Sequence, residues 1–383
     1  MIHHTYHHKR ERYLFVDILR FLAVILMLQG HTFEALLQKN IKEESWFFIH
    51  DLFHGLTAPM FLFSSGVAFG IATFKKWEDH TELGFPIYKR MFRFVGLIFL
   101  GYVLHLPYYG FKKLVYASTE IDILTFFQVD ALQCIAVTLL TLQLLVLLIK
   151  NEKKFTFTLI AIATTIIFIS PIIYNLKLKD NFPIWFGSYI NYEFLSWFPL
   201  FPWSAYTMLG VIFSYFFIEE KEHEHAIRFM KKLFILVSII GLSSYIFSNI
   251  QFYIYPSHDF WKTNPLVVFG KTSVITMLMV LLFFIEQKIH IKSKIPTIIG
   301  SESLFIYVIH LIIIYGSVLN VGLKYFFDGK LNITYSLIVF LILLITLTWF
   351  AIVWHNGKIK YKKEFLYIRI ISLILFLFFF LIQ

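Results

Sequence analysis

The sequence predicts an all-α fold, a polytopic bundle of transmembrane helices with its N-terminus in the cytoplasm. Three observations predict it. The 383 residues are 58% hydrophobic and only 15% charged, where an ordinary soluble domain is about 25% charged. Apolar runs long enough to cross roughly 30 Å of hydrocarbon recur from end to end. Lysine and arginine crowd the N-terminus and alternate loops, more than twice as many as in the intervening loops, which is how cytoplasmic loops are marked.

The runs fall at 14–36, 51–73, 88–108, 127–149, 154–175, 196–218, 231–253, 265–287, 295–317, 333–355 and 365–383. Eleven spans put the C-terminus outside. The first is retained, because its apolar run is too long for a signal peptide, carries Asp17 and Arg20, and lacks an A-x-A-like exit. Residues 1–12 (MIHHTYHHKRER) read as a flexible polar tail, and 1–383 as a single domain. The loop at 176–195 is aromatic and punctuated by Pro and Gly, suited to lying on the membrane surface or covering a site. No internal repeat stands out, which weighs against a transporter built from inverted repeats. The single cysteine, Cys134, excludes an internal disulfide framework, and no thiolate metal site is expected. The net charge of +10 sits in short loops and reads as topology, with no nucleic-acid partner. No P-loop, dinucleotide glycine fingerprint, HExxH or G-x-S-x-G occurs.

Chemistry therefore has to come from polar residues at membrane depth, where ionisable groups are expensive and mark functional sites by default. In the first span, Arg20 and His31 lie eleven positions apart, close to a whole number of turns, so they share a face about 16 Å apart along the axis. Asp17 precedes Arg20 by three and can offset the cost of its burial. Glu34 follows His31 by three and can orient the imidazole. The alternative is an ion-pair stripe that only fixes helix packing. The second span opens IHDLFHGLTAP, with His50 and His54 on one face and Pro59 as a kink. His54 suits a second histidine beside His31; His50 suits a wet interface. Arg90 and Arg93 open the third span, as grips for an anionic cofactor or as positive-inside anchors. Asp130, with Gln133, opens the fourth, to bind an acceptor hydroxyl or to cap the helix. Lys271 lies within the eighth span, Glu302 begins the ninth, and His310 lies deep within it; all are cavity candidates. Trp203 suits an aromatic belt.

These residues resemble a known superfamily. The Arg20-x10-His31 spacing is similar to the signature of the membrane acyltransferase type 3 family. The segments 16–31, 54–69, 128–140, 201–216 and 300–314 resemble still more closely the heparan-α-glucosaminide N-acetyltransferase catalytic-domain family. The resemblance implies an integral-membrane enzyme that moves an acyl group, acetyl above all, from cytosolic acyl-CoA to a glycan or glycolipid acceptor. It implies His31 as catalytic histidine and Arg20 as its arginine. In the glucosaminide branch that histidine lies nearer the start of the second span, which here means His50 or His54. The usual Arg-Gly pair is Arg20-Phe21 here, so packing at that point must differ.

Acyl-CoA is long, with phosphates at one end and the thioester at the other. A cation on the cytoplasmic side and a base three turns outward suit it. Arg20 would hold phosphate or pantetheine amides. His31 would take the acceptor's proton and pass it to the leaving thiolate. Lys271, Ser301 or a backbone N–H of the second span would face the oxyanion. A hydroxyl acceptor leads, with an amine as a variant of the same site. The rival reading is a transporter or flippase for a glycolipid or anionic solute. A multi-pass protein of a bacterial inner membrane, surrounded by lipid and able to form a homodimer, is the expected setting.

Overall fold

The computed structural model describes residues 13–107, 110–250, 254–289, 293–317 and 320–382. The expected tail at 1–12 lies outside them. Among the described residues the chain is helical, with only two single β-bridges, Leu37 with Leu331 and Gly316 with Val321.

Helix α1 (Leu14–Leu36) is the central post, because it is apolar nearly all round and packs against helices from both halves of the chain. Its first turn is tied down where Phe15 N–H donates to Glu286. At its other end Leu37 is extended and the backbone crosses to Leu331. After the single turn α2 (Lys39–Lys42), the expected second span arrives as two helices, α3 (Ser45–His54) and α4 (Thr57–Phe74), broken at Gly55 and Leu56. Helices α5 (Trp77–Thr81), α6 (Phe85–Leu104), α7 (Phe111–Tyr116) and α8 (Glu120–Phe127) follow, then α9 (Ala131–Ile149) and α10 (Glu152–Tyr174). The 176–195 region carries α11 (Ile184–Gly187) and a 3-10 turn at Tyr192–Phe194.

Helix α12 (Leu200–Glu222) makes the tightest contact in the fold, with α4. A Cβ added at Gly66 would run into the Thr207 carbonyl, and one at Gly210 into the Phe63 carbonyl. Small residues let two backbones touch, as membrane helices require when lipid removes the hydrophobic drive to associate. Ser214 Oγ then bridges the pair by donating to Val67 O at 2.9 Å.

The remainder runs α13 (Ala226–Ser248), α14 (Phe260–Thr263), α15 (Pro265–Lys288), α16 (Ile295–Ser301), α17 (Ser303–Tyr315), α18 (Leu323–Phe327), α19 (Ile333–Lys360) and α20 (Lys362–Ile382). The expected ninth span is bent by 74° between α16 and α17. No part of the α20 apolar window is buried, so this helix offers its surface to lipid.

Among the described residues nine helical segments are long and apolar enough to span a membrane, or ten with the bent pair counted as one span. The eleven expected differ by the segment at 88–108. Helix α6 covers it with sufficient length, yet carries Lys89, Arg90 and Arg93 in its first half.

Candidate active site

His31 stands near the C-terminal end of α1, beside Gly30. The glycine matters because His54, the last residue of α3, lays its ring over it. A Cβ at Gly30 would collide with the His54 imidazole. The two rings meet edge to face at 5.8 Å. From α17, His310 brings its ring to 5.1 Å from His31, and the Tyr315 hydroxyl is hydrogen-bonded to His31 Nδ1 at 3.1 Å. Three imidazoles from three helices thus converge, separated by 23 to 279 positions in the chain.

Their hydrogen bonds differ in kind. His310 is fully buried, and its Nδ1 faces the Ile306 carbonyl at 3.1 Å. A carbonyl only accepts, so Nδ1 carries the hydrogen and Nε2 presents a lone pair. That Nε2 is buried without a partner among the described residues, and so is His54 Nδ1. Native structures rarely leave buried polar atoms unpaired, and each such atom asks for an explanation. His31 is different, since a hydroxyl on Nδ1 can donate or accept and so serves either tautomer. His50 has both nitrogens engaged, Nδ1 by Asp51 and Nε2 by the Gln29 amide, each at 3.1 Å. Its ring stacks on Phe47 at 4.5 Å and reaches His54 at 6.1 Å.

Asp130 and Lys271 belong to the same neighbourhood. Tyr307, 5.6 Å from the His310 ring, donates its hydroxyl to Asp130. Asp130 also caps α9 in a reciprocal box with Gln133, the second of its two sequence readings. Lys271 lies with its ammonium 5.9 Å from the Trp203 ring and 3.7 Å from where a Gly55 side chain would begin. Trp203 itself is buried and donates to Tyr192, so it belongs to the core and not to an interfacial belt.

The remaining candidates lie elsewhere. Glu34 is exposed and pairs with Lys42 at 3.3 Å; the expected carboxylate on His31 is replaced by Tyr315, because Glu34 lies one turn past the imidazole and faces out. Arg20 donates to Ser64 Oγ at 3.3 Å and to Ser64 O at 3.0 Å, so it braces α1 against α4. Asp17 is buried under Gly300 of α16. Arg90 is held by Thr73 at 3.0 Å, Gln143 at 2.9 Å and the face of Phe69; it clamps α6 to α4 and α9. Arg93 is exposed on α6. Glu302 is buried at the α16–α17 break, where Lys358 donates to both carboxylate oxygens at 2.8 Å and His355 Nδ1 to one at 2.9 Å. That cluster opens α17, while His31 meets its far end.

Sequence reasoning missed Tyr315 and Tyr307. Tyr307 had a local signal, lying three residues before His310 on the same face. Tyr315 had none, because only the tertiary fold brings the end of α17 to α1.

The family model for the heparan-alpha-glucosaminide N-acetyltransferase catalytic domain matches residues 12–252. The chain belongs to this family. Membership, with its apolar helices, makes it an integral multi-pass membrane acetyltransferase. No curated protein matches the chain. The matched segment holds His31, His50, His54 and Asp130, whereas Lys271, Tyr307, His310 and Tyr315 lie beyond it. Among the described residues no group of three or more His, Cys, Asp or Glu is arranged to hold a metal ion.

Proposed function

We propose that the protein transfers the acetyl group of acetyl-CoA to a primary amine on a sugar acceptor, with His31 as general base. The observation that supports this reading is the convergence of the His31, His54 and His310 rings, with His54 Nδ1 and His310 Nε2 buried and without a partner among the described residues. His31 is favoured as base because its Nδ1 rests on a hydroxyl, which lets the ring take up and release a proton. The family's histidine near the start of the second span corresponds to His50 or His54. His54 touches the same cluster, so both alternatives address one site.

An attacking amine brings two hydrogens and one lone pair. Nε2 of His310 is a fixed acceptor for one N–H, and His31 removes the other. The amine nitrogen adds to the thioester carbonyl carbon and the π pair moves to oxygen. The intermediate then collapses, re-forming C=O and breaking C–S. The thiolate takes the proton from His31 and leaves as CoA thiol. A hydroxyl nucleophile would leave His310 unsatisfied. With the N-terminus in the cytoplasm, Arg20 lies three turns inward of His31 along α1, where it would engage the pantetheine amides or a phosphate. The acceptor would approach from the opposite side.

The test is acetyl-CoA binding and thiol release by purified protein in lipid nanodiscs. Glucosamine is offered against glucose. Wild type should release thiol with the amine and not with the all-hydroxyl sugar. His31→Ala should bind acetyl-CoA normally and lose roughly 10²- to 10⁴-fold in turnover. Turnover with glucose alone would make hydroxyl the acceptor group. Full activity in His31→Ala would transfer the role to His54. Absence of acetyl-CoA binding, with solute flux in liposomes, would replace the enzyme by the transporter reading.

A further inference from the structure

The break between α3 and α4 leaves more unsatisfied than the two imidazoles. Gly55 N–H donates to Asp51 O and Leu56 N–H to Phe53 O. Among the described residues the next two amides, of Thr57 and Ala58, have no backbone acceptor, Pro59 has no N–H, and Met60 is the next to find one, at Leu56 O. No side chain caps this end of α4. Helix N-termini carry partial positive charge as well as free donors. By itself that is common. Here a second, independent feature accompanies it, since Thr57 is only 6% exposed and its hydroxyl finds no partner among the described residues. A third is Lys271. Its ammonium comes within reach of Gly55, in the turn that precedes these amides, and it makes no ion pair or hydrogen bond among the described residues. Asp259, which acts on it through space, caps α14 and is paired with Lys262 at 3.2 Å.

We infer that the N-terminus of α4, with the Thr57 hydroxyl and the Lys271 ammonium, is the hole that holds the oxyanion formed when the acceptor attacks the thioester. This rests on the acyl-transfer reading above. The argument is one of placement. His54 is the last residue before the break and Thr57 the first after it, so donors for the oxygen sit one short turn from the imidazoles that handle the proton. Two of the three oxyanion candidates visible in the sequence, Lys271 and a second-span amide, are thereby brought together. The third is removed, because Ser301 donates to Ile298 O beside Glu302, at the opposite end of α17 from Tyr315. Donors aimed where charge develops stabilise the transition state more than the ground state, so these groups act on kcat.

The test uses acetyl-CoA labelled with 13C at the acetyl carbonyl, bound to the full chain in nanodiscs without acceptor. The carbonyl stretch is read by difference infrared spectroscopy. In wild type the band should fall to lower frequency on binding. In Lys271→Met and Thr57→Val it should return toward its position in free acetyl-CoA, with Lys271→Arg keeping most of the shift. With acceptor present, Lys271→Met should lose roughly 10²- to 10³-fold in kcat and Thr57→Val about tenfold, KM staying within about threefold. A bound but unshifted carbonyl in wild type, or a shift preserved in both deletions, overturns the inference and leaves acyl transfer standing. No bound acetyl-CoA at all overturns the acyl-transfer reading, and this one with it.

Discussion

Two polar clusters at the ends of α4 use similar residues to opposite effect. One joins α4, α6 and α9 around Arg90. Its guanidinium donates to Thr73 and Gln143 and lies on Phe69, and Gln143 passes its own N–H on to the His80 carbonyl. The other joins α1, α3 and α17 around His31, where His54 Nδ1 and His310 Nε2 have no partner among the described residues. The first is closed and holds helices in register. The second is open, with two buried nitrogens left unspent among the described residues, as the proposed site requires. A charge at membrane depth is thus ambiguous until its partners are counted, and Arg90 and His31 look alike before that count.

The comparison can be broken by experiment. Among substitutions outside the proposed proton-transfer and oxyanion groups, the largest effect is expected at Gly30→Ala, which removes no polar group and adds one methyl against the His54 ring. Displacing an imidazole by about 1 Å should cost roughly tenfold to a hundredfold in acetyl transfer, with acetyl-CoA affinity within about twofold. Undiminished transfer would mean that the position of His54 is irrelevant. Arg90→Leu should do the reverse. It strands Gln143 Oε1, a buried acceptor worth about 1–3 kcal/mol when left unmade, so the thermal midpoint should fall while turnover per folded molecule stays within about twofold. A variant as stable as wild type, or one selectively inactive, would dissolve the distinction.

The smallest effect is expected at His80, on the short helix α5 beside Arg90. Burial first, and the Arg90 guanidinium second, hold its imidazole down from the ordinary 6.5 to about 4. The unfolded chain therefore takes up a proton below pH 6.5 that the folded chain refuses until about pH 4. Stability is complete above 6.5 and drains away as pH falls between those values. His80→Asn should flatten that slope. Unfolding midpoints recorded from pH 7 to pH 4 for both proteins in one detergent decide it, and parallel curves would exclude His80 as the titrating group.

Much of the fold was legible because hydrocarbon thickness imposes a length on every span, and runs of that length are visible in the sequence. The break in the second span was signalled by Pro59, but it falls at Gly55 and Leu56, with Pro59 in the first turn of α4 where a proline is tolerated; the break at Glu302 was not legible, since a span may be kinked without any loss of hydropathy. In the site, His31, His54 and His310 were legible as polar residues in apolar runs. What periodicity cannot give is which neighbour a helix face will meet. Glu34 shares a stripe with His31 and still turns to Lys42, while Tyr315, far off in sequence, takes the position beside Nδ1. The partners of Arg90 were hidden for the same reason, because Thr73 and Gln143 reach it only through packing.

The bond between His31 and Tyr315 joins residues 284 positions apart. A ribosome adding about 5–20 residues per second needs roughly 15–60 s to pass from one to the other. During that interval α1 has been made, and α3 can already lay His54 over Gly30, but the third imidazole and the tyrosine do not yet exist. The histidine end of the first helix therefore closes only late in synthesis, and every nascent chain passes through a stage in which His31 and His54 stand open to whatever the membrane offers.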